Sequence, residues 1–350
     1  MGLILDLSHE DLSRYLKGLG EQGYRADQVW EWIFKRKTLS FEEMTNLPIN
    51  LRKTLSAEFL QFPELIRVSI SRDNTVKYLW RMKDGELVES VLLHYLTSHR
   101  NWVSVCVSTQ AGCPIKCSFC QTGLSGFRRN LTQGEILAQI IGMEIESGVS
   151  VSRVLFMGMG EPLLNFKETL GAIEVLMQKE SYGLSGRRIT LSTAGPEELE
   201  RFLQEGARVE VAYSLHTPDD ELRKSLIKYP RLLPVEKALS LLLKYQSEYQ
   251  RRVSVEYLLL KGINDTEDHA RSLVKLLRGK PFFVNLLPFN SCPGSKFSAS
   301  SPELMREFKQ TLIRAGIKAA IRKPKGLEIQ AACGQLRLKT LDEHNIPVDN

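Results

Sequence analysis

The sequence predicts an α/β protein in which six strand–helix units build a parallel sheet, preceded by a small helical region and a β-hairpin. Three observations predict it. From about residue 102, short apolar runs alternate with amphipathic stretches, the pattern of successive βαβ units. The unusual residue clusters fall almost entirely at the C-terminal ends of those runs. Before residue 70 the apolar residues recur at three- and four-residue spacing, the period of a helix.

The helical region comes first. "HEDLSRYLKGLG", "ADQVWEWIFKRK" and "LPINLRKTLSAEF" each carry an apolar stripe, and "GLGEQGYR" breaks the first two apart. Residues 1–72 are small in extent and basic on their outer faces. Taken alone, the segment reads as a packing appendage before an RNA-gripping module. Residues 73–98 follow with two alternating runs around Asp84-Gly85, a turn pair favoured in two-residue hairpins. Glu89 sits in the second run, where a solvated hairpin carboxylate is the ordinary reading.

From residue 99 the predicted strands are "WVSVCVS", "VSRVLFMG", "RRITLST", "RVEVAYSL", "RVSVEYLLL" and "FFVNLLPF". Helical stretches such as "TQGEILAQIIGMEIESG" and "LPVEKALSLLLKYQSEY" lie between them. Either a doubly wound sheet or an incomplete β/α barrel satisfies this order. The strand ends carry, in turn, Gly112–Cys120, "GMGEP" (158–162), "STAG" (192–195), "SLHTP" (214–218), "KGIND" (261–265) and "PFNSCPG" (288–294). In β/α barrels that rim holds the active site.

Composition narrows the class. The chain has 350 residues, 43% hydrophobic and 25% charged, which argues for a globular protein and against disorder. Lys and Arg number 47 against 41 Asp and Glu, a net charge of +6. This mild basicity suits an RNA partner without requiring one. "MGLILDLSHEDL" has neither the basic nor the apolar part of a signal peptide, and Asp6 spoils a myristoylation match. No apolar run approaches the ~18 residues of a membrane span. A cytoplasmic protein with no membrane partner is expected. There, six cysteines point to metal or redox chemistry before a disulfide framework.

Three of them, Cys113, Cys117 and Cys120, form a C-x3-C-x2-C pattern. Structural zinc usually takes four protein ligands, and iron–sulfur clusters usually take four cysteines. Three thiolates leave one iron open to bind a substrate directly. Cys106 lies upstream in "WVSVCVS", sharing a strand face with Ser104 and Ser108. A buried hydrophobe and a residue of a polar lumen are both open readings for it. Cys333 lies in "IQAACGQL", among small residues that let another molecule approach. Cys292, in the Pro/Gly turn "NSCPG", reads as incidental.

Taken together, "CVSTQAGCPIKCSFCQTG", "GFRRNLT", "FMGMGEPLLN", "RRITLSTAG", "YSLHTP" and "AACGQL" resemble the RlmN/Cfr family of radical S-adenosylmethionine RNA methyltransferases. The resemblance runs from about residue 8 to residue 336 and is nearer to the RlmN branch. It implies an incomplete (β/α)6 radical S-adenosylmethionine barrel over 99–345, ending in a methyl-carrier cysteine loop. Residues 1–72 become an accessory RNA-binding domain and 73–98 a hairpin extension.

The implied chemistry follows. Cys113, Cys117 and Cys120 hold a 4Fe–4S cluster whose open iron chelates S-adenosylmethionine. Cys333 is methylated to S-methylcysteine, and a 5′-deoxyadenosyl radical then takes a hydrogen from that methyl. The carbon radical adds to an adenine ring, Glu89 accepts the ring proton, and Cys106 attacks the Cys333 sulfur. A transient disulfide releases the methylated RNA. Carbon 2 of adenine is electron-poor and cannot attack a methyl donor as a nitrogen can, so a radical route and a resolving thiol are needed. The implied S-adenosylmethionine contacts are Gly160, Glu161, Ser192, Ser214, Leu215, His216 and Asn290.

The implied substrates are an adenosine in the peptidyl-transferase centre of 23S rRNA and the adenosine beside the anticodon of some tRNAs. An external electron donor such as flavodoxin and a monomeric enzyme are expected. Pro162 after "GMGE" favours carbon 2; Cfr-type methylation of carbon 8 is the runner-up. The rival from another class is a non-catalytic zinc-dependent RNA-binding module. Among the basic pairs, Arg128-Arg129 and "RKPK" (322–325) flank the cysteine loops and carry more weight as phosphate contacts than Arg187-Arg188 or Arg251-Arg252. Three positions depart from the family pattern: Leu226–Pro234, Asp219 and Gln330. They are expected to bear on substrate choice and to touch neither the cluster nor the two key cysteines.

Overall fold

A computed structural model of the chain describes residues 2–96, 101–205, 207–291 and 295–336. Helices α1 (His9–Gly18), α2 (Tyr24–Phe34) and α3 (Ile49–Glu58) form where the apolar spacing predicts them. Their stripes bury Leu12, Leu16, Val29, Trp30, Ile33, Leu51 and Leu55. The Ser8 hydroxyl caps α1 by accepting from the Asp11 amide at 3.0 Å.

The hairpin is present as β2 (Val76–Arg81) and β3 (Leu87–Leu96), with β1 (Glu64–Ile70) added antiparallel to β2. Strand β1 was not predicted. Its Ile66, Val68 and Ile70 alternate with Arg67 and Ser69, a strand period inside the stretch assigned to the helical region, and as an edge strand it buries little on either face. The hairpin is also no separate appendage. Strand β4 (Asn101–Cys106) pairs with β3 and joins it to the main sheet.

Strands β5 (Gln110–Gly112) and β6 (Phe127–Asn130) form a small ribbon that closes the base of the cysteine loop, which also holds the short α4 (Gln121–Leu124). The chain then alternates: α5 (Gln133–Ser147), β7 (Arg153–Phe156), α6 (Phe166–Met177), β8 (Ile189–Thr193), α7 (Glu198–Glu205), β9 (Glu210–Ser214). It continues through α8 (Asp220–Leu226), α9 (Val235–Tyr249), β10 (Val253–Leu259), α10 (Glu267–Leu277), β11 (Phe283–Pro288), α11 (Pro302–Arg314) and β12 (Lys318–Ile321).

The sheet order is β1-β2-β3-β4-β7-β8-β9-β10-β11-β12, and β4 through β12 run parallel. All six predicted strands are there. Strand β12 is a seventh parallel strand, unpredicted because its "KAAI" has little apolar bulk. Among the described residues β1 and β12 end the sheet without meeting, so the barrel is open. Strand β10 is buried along its whole length, as expected of a central parallel strand.

The N-terminal helices dock on α5. Asp6 accepts from the Gly134 amide at 2.8 Å and so caps the first turn of that helix. Buried Glu144 takes Lys37 at 2.5 Å and the Tyr182 hydroxyl at 2.7 Å. No helix among the described residues is long and apolar enough to cross a membrane.

Candidate active site

The cysteine loop is built tightly. The Cys113 amide donates to Gly126 at 2.8 Å, and the Cys120 amide to Cys117 at 3.2 Å. Gly123 has no room for a side chain: a Cβ there would sit 2.8 Å from the Cys117 nitrogen and 2.9 Å from its oxygen. From outside, Leu226 and Ile227 brace the loop. The Ser118 amide donates to Leu226 at 2.9 Å, and Cys117 bridges antiparallel to Ile227. This corrects one expectation. The divergent stretch Leu226–Pro234 does touch the cysteine loop, because α8 ends directly beneath it.

Burial pushes the thiols of Cys113, Cys117 and Cys120 above the ordinary cysteine range. Their mutual repulsion as thiolates adds to this for Cys113 and Cys117, while the Arg223 guanidinium opposes it at Cys117. All three line a cleft of about 1000 Å³, together with Gly160, Glu161, Ser192, Ser214, His216 and Asn290. The predicted strand-end residues thus meet the predicted thiols.

Each strand end has its own construction. Gly160 takes φ 106°, and a Cβ there would lie 2.7 Å from the Gln110 Cβ, so only glycine lets this loop pass β5. Glu161 is buried. It accepts from the Ala194 amide at 2.8 Å and the Leu163 amide at 3.2 Å, yet burial dominates and holds its carboxyl near 7. His216 adopts φ 60° and its Nδ1 accepts from the Leu258 amide at 3.1 Å. The ring proton therefore sits on Nε2. Burial pushes the imidazole down to about 3, with Arg223 acting in the same direction. Ser192 and Ser214 are half-buried in the cleft wall. Leu215 differs from the expectation. Its side chain is in the core, since neighbours along a strand end face opposite sides, and only its backbone remains near the cleft.

Two buried charged residues were not foreseen, one behind the cleft and one in its wall. Arg223, only 2% exposed, donates to the carbonyls of Ala194, Ser214 and Leu215. It ties the ends of β8 and β9 together. In "DELRKSL" it reads as one charge on a solvated helix face, and only the tertiary fold buries it. Glu256 lines the cleft from β10. Its Oε1 accepts from Ser254 at 2.7 Å and Asn285 at 2.8 Å, while Oε2 is buried with no hydrogen-bond partner among the described residues.

A second lobe of about 940 Å³ adjoins the first, lined by Val91, Leu93, Tyr95, Cys106, Leu155 and Lys323 among others. Cys120, Asn290, Arg322 and Cys333 line both lobes, so the two are continuous. Cys106 lies opposite Val91 on β3 and beside Leu155 on β7. Of the two open readings, its immediate neighbours favour the buried one, while Arg322 and Lys323 line the same lobe farther round. Burial pushes its thiol up to about 12; Cys333 adds to this and Arg322 opposes it.

Cys333 is exposed at the tip of its loop. Asn290 Nδ2 donates to the Cys333 carbonyl at 3.1 Å, and the Gln121 amide to Gly334 at 2.8 Å. Gln335 Nε2 donates to Ser291 at 3.1 Å. The structure thus brings Cys106 and Cys333 to one cavity from opposite ends of the barrel sequence. Cys292 lies outside the described residues.

Glu89 stands apart from this pair. It is buried on β3, on the same face as Val91, and lines a neighbouring cavity with Lys77 and Gln330. Lys77 Nζ lies 2.8 Å from its Oε1 and 3.4 Å from the Gln330 carbonyl. Of the basic candidates, Arg129 is engaged by Asp84 and Glu135, and Lys325 donates to the His94 carbonyl at 2.9 Å. Arg187-Arg188 and Arg251-Arg252 precede β8 and β10, at the far end of the sheet from the site. Arg128 and Lys323 remain exposed beside it.

The donor set fits an iron–sulfur cluster and S-adenosylmethionine. Thiolates suit iron, and the buried carboxyl of Glu161 offers a counter-charge for an ammonium. The cleft also contains His216 and Cys333, so the sequence alone could not exclude a fourth zinc ligand. Among the described residues, however, no three His, Cys, Asp or Glu side chains gather as for a single metal ion. A cluster binds each thiolate through a different iron and needs no such convergence.

Comparison with known proteins identifies the family. Residues 3–60 match the ribosomal RNA large subunit methyltransferase N-terminal domain, and residues 107–274 match the radical SAM superfamily. Proteins named probable dual-specificity RNA methyltransferase RlmN are similar over nearly the whole chain. The one from Thermotoga neapolitana is 43% identical, covering 96% of this chain and 97% of the relative. The chain belongs to the RlmN family. The relative from Thermosipho melanesiensis is 44% identical over 97% of this chain and 99% of its own. A crystal structure of a radical SAM methyltransferase from Sphaerobacter thermophilus superposes with a TM-score of 0.91 at 37% identity, covering 96% of this chain and 99% of that one. This RlmN-family chain is therefore a radical S-adenosylmethionine methyltransferase that uses a 4Fe–4S cluster and S-adenosylmethionine, and RNA is its substrate class.

Proposed function

We propose that the enzyme methylates carbon 2 of an adenosine in the peptidyl-transferase centre of 23S rRNA and of the adenosine adjacent to the anticodon in tRNA. The observation that carries this reading is the shared cavity. Cys106 and Cys333 line one lobe, and Cys333 also lines the cleft of the cysteine trio.

When bound, the cluster and S-adenosylmethionine supply a methyl group and the one-electron chemistry that activates it. Cys113, Cys117 and Cys120 would hold the cluster. Gly160 and Glu161 would receive the amino group, since a carboxylate suits an ammonium. Ser192, Ser214, His216 and the backbone at Leu215 would orient the carboxylate and adenosine, with the His216 Nε2–H as a donor. Asn290 would serve both the cofactor and the Cys333 loop. Cys333 carries the methyl to the base. Cys106 then bonds to the Cys333 sulfur as the carbon–sulfur bond breaks, the exchange step open to a thiolate. Glu89 accepts the ring proton, with Lys77 compensating its charge. The apolar walls Val91, Leu93 and Leu155 would shield the Cys106 side of the lobe from water.

Residues 1–72, 73–98 and 99–345 would act as RNA-binding accessory, hairpin extension and catalytic unit of a cytoplasmic monomer, reduced by an external donor. Mass spectrometry of rRNA and tRNA nucleosides, from cells with and without the gene, tests the assignment. Loss of 2-methyladenosine is expected. Loss of 8-methyladenosine in its place would refute the carbon-2 assignment. Zinc without iron after anaerobic reconstitution would refute the cluster.

A further inference from the structure

The cysteine loop has an outer side as well as a cavity side. Cys120 lines both lobes, whereas Cys113 and Cys117 line only the first. Cys117, with Cys113, therefore lies at the end of the trio remote from Cys106. Leu226–Pro234 covers that end through the Cys117–Ile227 bridge. An antiparallel bridge sets the flanking residues opposite one another, so Lys116 stands across from Lys228. Both lysines are exposed, and neither has an ion-pair partner among the described residues.

Other cations nearby are already matched. Lys224 pairs with Glu221 at 2.6 Å and Lys237 with Glu200 at 2.5 Å. Like charges on facing positions destabilise a pairing, so an unmatched lysine pair is best satisfied by an incoming anion. Beside it, Ile227, Tyr229, Pro230 and Leu232 line a groove of about 800 Å³ that also carries Arg223, Lys224 and Asp220, the last accepting from the Val235 amide. A cationic pair beside a mainly apolar groove matches an acidic protein surface.

We infer that this face, centred on Lys116 and Lys228, docks an acidic one-electron carrier protein that reduces the cluster from the Cys117 side. The inference rests on the cysteine trio holding the cluster. The carrier gives up one electron and the cluster gains it, with no bond made or broken. RNA is the other polyanion this enzyme meets. Its target base must enter the lobe of Cys106, whose wall carries Arg322 and Lys323, while the Lys116–Lys228 pair lies at the other end of the trio.

The test is anaerobic stopped-flow reduction of the reconstituted holoenzyme, with reduced flavodoxin as the probe. Lys228→Glu is the main variant, the double variant K116Q/K228Q the second, and Lys275→Glu on α10 the control. The second-order rate with flavodoxin should fall about tenfold in K228E at low ionic strength, and the gap should close as salt rises. K275E should match the wild type, and reduction of K228E by dithionite should be unchanged. A wild-type flavodoxin rate in both Lys228 variants would overturn the inference. So would loss of RNA affinity with the flavodoxin rate retained, which would give the lysines to RNA. A wild-type holoenzyme that takes no electron from dithionite would instead remove the cluster reading itself.

Discussion

Asn290 holds the backbone of Cys333: its Nδ2 donates to the Cys333 carbonyl at 3.1 Å. The residue expected at the cofactor is also the strut of the methyl-carrier loop. Replacing it by Ala removes the donor from a carbonyl at the site, a loss of about 1–2 kcal/mol. Methyl loading of Cys333, read by intact-protein mass spectrometry, should fall roughly tenfold. Iron content should not change, because Cys113, Cys117 and Cys120, the thiols that would hold the cluster, are left in place.

Cys106→Ala should separate adduct formation from release. The side chain sits in an apolar wall, so losing one sulfur should cost only about 1 kcal/mol of stability. Without the second thiol, RNA should stay bound to Cys333 and migrate with the protein on a denaturing gel. Free methylated RNA at the normal rate would deny Cys106 its resolving role.

How far these sites were legible depends on how local their causes are. The six parallel strands are set by patterning within a few residues and stand where the sequence places them; the spacing of the cysteine trio is equally local. Strand β12 is nearly all small residues and has no period to read, whereas β1 alternates over Ile66, Arg67, Val68, Ser69 and Ile70 and its signal is absorbed into the helical region before it. Arg223 and Leu226–Pro234 gain their roles only when α8 ends beneath the Cys117 loop, a contact across more than a hundred residues of chain. The surroundings of Cys106 stay open in the sequence for a related reason. Its immediate neighbours, Val91 and Leu155, come from other strands, and the serines beside it in sequence do not set its environment.

Glu161 gives a pH signature. Burial holds its carboxyl near 7, and an ammonium placed beside it favours the ionised form. S-Adenosylmethionine affinity should therefore rise about tenfold between pH 6 and 8 as the carboxylate forms. Above about 8 it should decline as the ligand's own amino group loses its proton. Calorimetry on the holoenzyme measures both limbs. Glu161→Gln should lower affinity throughout and abolish the acid limb, leaving the alkaline one.

Arg223 supplies the strictest test of how the cleft is held together. Its guanidinium reaches three carbonyls on two strand ends and has no carboxylate partner among the described ion pairs. Met fills a similar volume but leaves those carbonyls buried without donors, at about 1–3 kcal/mol each. Arg223→Met should therefore lower the unfolding midpoint by several degrees. Lys, a single compact cation, cannot span the same three acceptors, so Arg223→Lys should recover only part of the loss. The charge has a separate effect. Arg223 favours the ionised thiol of Cys117, and a positive charge beside a cluster favours its reduced form. The Met variant should thus show a more negative cluster potential in a redox titration, while the Lys variant keeps the potential near that of the wild type. If the two properties moved together in both variants, the potential shift would be a consequence of a loosened cleft and not of the missing charge.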